Sequence, residues 1–130
     1  MTDRQILNWF EARLVGAALG MAVNPPNSDA NPTKPYILLD LVPVEKFNRS
    51  LSGGSKISRG FVQITLVHET NEDMDDVLAP SEAIEALFPY GLRHLDALLI
   101  TRPPLTEHGY RDGPDWRTPI RVDYESYTWP

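Results

Sequence analysis

The residues able to do chemistry form a short inventory. Histidine occurs at His68, His94 and His108, and cysteine does not occur at all. No His-x-x-x-His or His-Glu-x-x-His pair sets two ligands on one helical face, so no zinc-type centre is expected. Without cysteine there is no disulfide, thiolate ligand or thiol nucleophile. His68 is read as ending a strand and His94 as lying between elements, both in surface or cap roles. Nucleophilic serine chemistry needs a hydroxyl held against a base. No Gly-x-Ser-x-Gly elbow is present, and serines 50, 52 and 55 crowd a turn, Ser50-Leu51-Ser52-Gly53-Gly54-Ser55. Gly53-Gly54-Ser55-Lys56 lacks the full spacing of a phosphate-binding loop.

Carboxylates give a closer imitation of a site. Asn71, Asp73, Asp75 and Glu82 stand where a calcium loop places its positions 1, 3, 5 and 12. The sixth position, normally glycine at the sharp turn, is Asp76; Pro80 constrains the loop, and a strand precedes it instead of a helix. A solvated acidic loop is the expectation. An exposed run also lacks the burial that separates the pKa values of a catalytic carboxylate pair. No catalytic residue, metal ligand or cofactor site is therefore assigned.

Charge distribution is more informative. The 130 residues carry 12 Lys+Arg against 18 Asp+Glu, a formal net charge of −6, which argues against a protein built to grip phosphate backbones. Between residues 46 and 59 lie Lys46, Arg49, Lys56 and Arg59 with no acid. Between 69 and 76 lie Glu69, Glu72, Asp73, Asp75 and Asp76 with no base. Ordinary solvated loops would show such runs. The sharper expectation is complementarity between copies: a positive arm meeting a neighbour's negative loop is a head-to-tail contact, which closes into a ring when the rotation permits.

These residues must be positioned by a small set of elements. The length fits one domain, residues 1–130, with no internal repeat. No apolar run is long enough to span a membrane, and the amphipathic start is unlike a secretion signal. Thr2-Asp3-Arg4-Gln5 has capping-box form, and Ile6, Trp9, Phe10, Leu14 and Ala17 make one apolar stripe of a helix that Gly20 should stop. Residues 23–35 read as a surface linker. Residues 36–42 and 60–68 read as strands of a long antiparallel hairpin, with Pro43 marking a sheet edge or bulge. A second helix is expected with Pro80 in its first turn and Ala83, Ile84, Leu87 and Phe88 on its apolar face. Residues 96–101 form a strand, 105–117 a loop, and 119–125 a last strand with Ile120, Val122 and Tyr124 inward. The predicted fold is α+β, a four-stranded, mainly antiparallel sheet with two helices on one face, in the order α-β-β-α-β-β.

Taken together, the capped helix, Pro35-Tyr36-Ile37-Leu38, the Gly60-Phe61-Val62-Gln63-Ile64 strand, the helix ending in Phe88 and the strand from Trp116 to Tyr124 resemble the tail terminator proteins of long-tailed bacteriophages and related particles. The similarity runs over nearly the whole chain as element order, and the 105–117 loop and basic hairpin tip depart from it. The resemblance implies a non-enzymatic virion protein, made in the bacterial cytoplasm and placed at the head-proximal end of the tail. It implies a homo-hexameric ring capping the tube, ending its polymerisation and offering the surface that joins the head. The implied partners are further copies, the tail tube protein and a head–tail connector or stopper, with DNA passing through unread. The residues expected at subunit or tube contacts are Lys46, Arg49, Lys56, Arg59, Glu72, Asp73, Asp75, Asp76, Trp116 and Trp129; closure of the core is an equal role for Trp116. Two other readings stand beside this one: another neck protein of the same particle, and a small enzyme or ligand-binding α+β domain.

Overall fold

The computed structural model describes residues 1–24, 33–48 and 55–128. Its helices are α1 (Asp3–Gly16) and α2 (Met74–Leu87). Its strands are β1 (Ala22–Asn24), β2 (Tyr36–Asn48), β3 (Lys56–Glu69), β4 (Arg93–His94), β5 (Leu98–Ile100), β6 (Leu105–Thr106), β7 (Tyr110–Asp112) and β8 (Asp115–Thr128). The fold is α+β, but the sheet has eight strands in a mixed arrangement, not four. Three long strands, β2, β3 and β8, carry it in an antiparallel ladder. Of the five short strands, β5 falls within the strand expected over 96–101; the other four were not expected from sequence, because two- or three-residue pieces are too brief to show periodicity.

Three of these additions fall on segments expected to be irregular. Ala22–Asn24 lies at the start of the expected linker, yet pairs parallel with Tyr36–Leu38. In the expected 105–117 loop, β6 and β7 both pair with β8, and β7 returns through Gly113 at φ +60°. An Asp-Gly step is a hairpin signal, and Asp112-Gly113 is the one that stands here.

The ladder explains the core. Residues directly opposed in an antiparallel sheet share a face. Ile37 opposes Leu66, Leu39 opposes Ile64, and Val62 and Ile64 oppose Val122 and Ile120. All seven of these side chains belong to one buried cluster with Ile6, Phe10 and Leu14 of α1 and Ile84 of α2. Both helices therefore cover the same face of the sheet. Phe10 stacks on Phe88 at 4.8 Å, and the half-buried Trp9 packs edge-on against both.

The helix ends are individually satisfied. The capping box at Thr2 and Gln5 is present on both sides. Replacing Thr2 with alanine should cost about 1 kcal/mol in chemical denaturation; an unchanged midpoint would show the box to be idle. The stripe buries Ile6, Phe10 and Leu14, but α1 stops at Gly16 rather than Gly20, with Ala18 at φ +51° turning the chain into β1. The Arg13 guanidinium donates to the Leu87 carbonyl at 2.6 Å, where α2 has run out of backbone donors.

Helix α2 begins earlier than expected. Asp73 is its N-cap, and Asp75 and Asp76 lie in the first turn, so Pro80 is interior. The acidic run is therefore not simply a loop. Carboxylates near a helix N-terminus are stabilised by the free N–H groups and the helix dipole.

Pro43 also behaves as its chemistry dictates. The β2–β3 register shifts between Pro43 and Glu45, leaving Val44 as the extra residue of a bulge. Past Leu38, the outer side of β2 has no strand partner among the described residues.

Candidate interaction surfaces

The long strands give the molecule two electrically different ends. Lys56 and Glu69 terminate the fourteen-residue β3, roughly 40 Å apart at the usual rise per strand residue. Lys46, Lys56 and Arg59 lie toward one end, and Glu72, Asp73, Asp75 and Asp76 follow the other.

At the basic end, part of the charge is spent internally. Lys46 Nζ meets Asp3 at 3.2 Å. Arg59 contacts Glu125 at 2.9 Å and Glu45 at 3.9 Å, with its guanidinium 5.1 Å from the Phe47 ring. Lys56 pairs with no carboxylate among the described residues. Arg49 lies outside the described residues, as does Trp129.

At the acidic end, Glu72, Asp73, Asp75 and Asp76 are exposed and form no ion pair among the described residues. Asp73 accepts the Asp75 amide at 3.2 Å. No group of three or more metal-ligating side chains forms among the described residues.

Beneath this end lies His68, which sequence reading did not distinguish from the other histidines. It is 3% exposed, which excludes the surface role, and its Nδ1 has no partner. Burial pushes its pKa below the ordinary value, against the opposing pull of Glu72, a hydrogen bond to the Asp76 backbone carbonyl and the Asp76 charge. That carbonyl has a particular need. In an α-helix it would receive the N–H of the residue four positions on, here Pro80, which has none. The His68 ring interacts with that carbonyl. Burial overturns the surface role expected for this histidine, and only the folded helix brings its ring to an interior carbonyl.

Trp116 stands opposite His68 as the second residue of β8, within a strand rather than a loop. It floors a groove of about 490 Å³ between α2 and the segment around 106–109. Its indole edge lies so close to Gly109 that a Cβ there would sit 2.6 Å from Nε1. Glu85 closes one side by accepting the Thr106 amide at 3.2 Å and its hydroxyl at 3.0 Å.

The sheet face away from the helices carries a half-buried polar lattice. Arg121 lies over the Phe61 ring at 4.0 Å and bonds Asp123 at 3.1 Å; the Tyr127 hydroxyl donates to Glu125 at 2.7 Å. Arg117 bridges Asp112 and Asp115, and Lys34 joins the same Asp115. That hydrogen bond chiefly holds the Lys34 ammonium above its ordinary pKa.

The displaced titratable groups each have a local cause of burial or pairing, and the grooves are open. A family model described as phage tail terminator protein matches residues 5–124. The chain belongs to the phage tail terminator family, and so to the structural components of the virion tail. A solved structure whose printed name states no function is similar over 98% of this chain and 92% of its own, with a TM-score of 0.67 and 18% identity; it shows the fold alone. No match was found among curated proteins.

Proposed function

We propose that this chain assembles as a ring, a hexamer of identical copies, on the head-proximal end of the tail tube. There it ends tube polymerisation and presents the surface that joins the head. Its partners are its own copies, the tube protein and a head–tail connector or stopper; DNA passes through the ring unread, and the role is non-catalytic. Synthesis takes place in the bacterial cytoplasm. The observation that carries this reading is the family match across residues 5–124. The separation of basic and acidic ends supports it, because identical copies with opposite charges at opposite ends favour a heterologous, ring-forming contact.

Electron microscopy of particles from a deletion strain tests the function. Abnormally long or headless tails are expected, and intact infectious particles would overturn it. Headless tails of normal length would move the protein to the neck instead. A second prediction concerns the basic arm. Because Lys46 and Arg59 are paired within the subunit, Lys56 is the arm's cation without a carboxylate partner among the described residues, and Arg49 adds a further charge in the sequence. Reversing Arg49 and Lys56 together should abolish ring formation or tail joining while the melting temperature stays within a few degrees. Undiminished assembly would remove the arm from the interface.

A further inference from the structure

The groove floored by Trp116 is built to receive something. Met74 and Leu78, one turn apart on α2, are 50% and 41% exposed along it. A second hollow of about 160 Å³ shares Met74, Val77 and Trp116 with it. Two polar atoms of its lining residues have no partner, the Trp116 indole N–H and the hydroxyl of Thr118, which is 3% exposed. Buried polar atoms without partners are uncommon and costly, and these two lie beneath the groove surface, out of contact with solvent. The rim carries exposed Glu82 and Glu107, and the unpaired Glu72, Asp73, Asp75 and Asp76 continue it.

We propose that this groove is the receptor for the basic end of the β2–β3 arm of an adjacent copy, with Val44 as its anchor. The inference rests on the ring reading and supplies its contact. Val44 is the bulge residue left out of the ladder, and it is 66% exposed. Lys46 lies two residues on, paired with Asp3, and Lys56 faces Asn48 at the hairpin end. An aliphatic knob on an arm that ends in the Lys56 ammonium, unpaired among the described residues, matches an apolar cleft with an acidic rim in sign. The adjoining outer edge of β2 lacks a strand partner among the described residues, so its main-chain donors and acceptors are open to a neighbour. Val44 lies beside Arg59 and the groove beside His68 and Trp116, roughly 30 Å apart along the strands. One copy cannot fill its own groove, so the contact is heterologous and propagates until it closes.

The absence of cysteine makes the test clean. Val44→Cys and Leu78→Cys are placed in one full-length chain, which is oxidised mildly under assembly conditions. A ladder of disulfide-linked multimers is expected, and a mixture of the two single variants should give a linked dimer that neither gives alone. A control carrying Val44→Cys and Leu95→Cys, another exposed position, should give at least tenfold less product. Charge reversal adds a second arm: Lys56→Glu or Glu82→Lys alone should lower multimer yield several-fold, and the pair together should restore it. Rings seen by microscopy without the ladder would overturn this contact and leave the ring reading standing. A ladder without rings would retain the contact and reject the ring. Cross-links found only to tube protein would assign the groove to that partner and overturn the proposal.

Discussion

Gly60→Ala should be among the most damaging single-atom additions to this molecule, lowering stability by about 3 kcal/mol. Gly60 does not occupy the left-handed region; its requirement is space. A Cβ would sit 2.5 Å from the Val42 carbonyl oxygen, 2.9 Å from the Tyr124 hydroxyl and 3.0 Å from the Pro43 Cα. Two of those three obstacles are backbone, and a paired strand cannot retreat without breaking its ladder. The crowding arises because the Pro43 bulge presses β2 toward β3 where Tyr124 crosses from β8. For a domain of this size, the melting temperature should fall by about 10 °C. Tyr124→Phe in the same background should recover less than half, since the carbonyl contact is shorter and remains. Alone, Tyr124→Phe should be neutral or mildly stabilising: the hydroxyl is buried without a partner, and burial, followed by the charge of Asp3, pushes its pKa up to about 12. A Gly60→Ala variant within 1 kcal/mol of the parent would contradict this close approach.

The second large effect belongs to His68. His68→Leu should cost about 2 kcal/mol, because it keeps an apolar filling but leaves the Asp76 carbonyl without a donor. The diagnostic is a double-mutant cycle with Pro80→Ala. An alanine at 80 restores the backbone N–H for that carbonyl, so His68→Leu should cost at least 1 kcal/mol less in its presence. Additive costs would separate the two residues and dismiss the capping argument. A pH dependence follows from the same burial. The folded-state pKa of His68 lies below the ordinary value, so near and below about pH 6.5 the unfolded chain takes up a proton that the folded chain resists. Its contribution is therefore complete above that value and lost as pH falls. Denaturation midpoints measured between about pH 7 and 5 should decline in the parent, and less steeply in His68→Leu.

Both predictions concern residues whose meaning lies in pairing. Gly60 was legible as part of a strand motif, and His68 as the last histidine of an alternating run. Neither could be assigned its constraint, because the bulge opposite Gly60 and the Asp76 carbonyl beside His68 come from other elements. The acidic run shows the same limit. Asp73, Asp75 and Asp76 resemble cation ligands or a solvated loop in one dimension, whereas three dimensions make Asp73 a helix cap and put the others in a first turn. The Asp73-x-x-Asp76 spacing was the available signal, and Pro80 obscured it by suggesting a later start.

What the sequence by itself determined was whatever depends on neighbours along the chain. The Thr2–Gln5 box, the Ile6–Phe10–Leu14 stripe, the β2–β3 hairpin with its fault at Pro43 and the alternation of Ile120, Val122 and Tyr124 all stand in the structure. These follow from helical and strand periods, which single-chain spacing reports directly. Only the tertiary structure decided the short strands β1, β4, β6 and β7, the parallel pairing of β1, the burial of His68 and the groove over Trp116. Each of these is fixed by contacts between distant segments, whose pairing carries no local period. It likewise decided that Lys46 and Arg59 are neutralised at home while the acids of the other end are not. Sequence gives the number and order of charges; which of them face a partner depends on distances that exist only after folding.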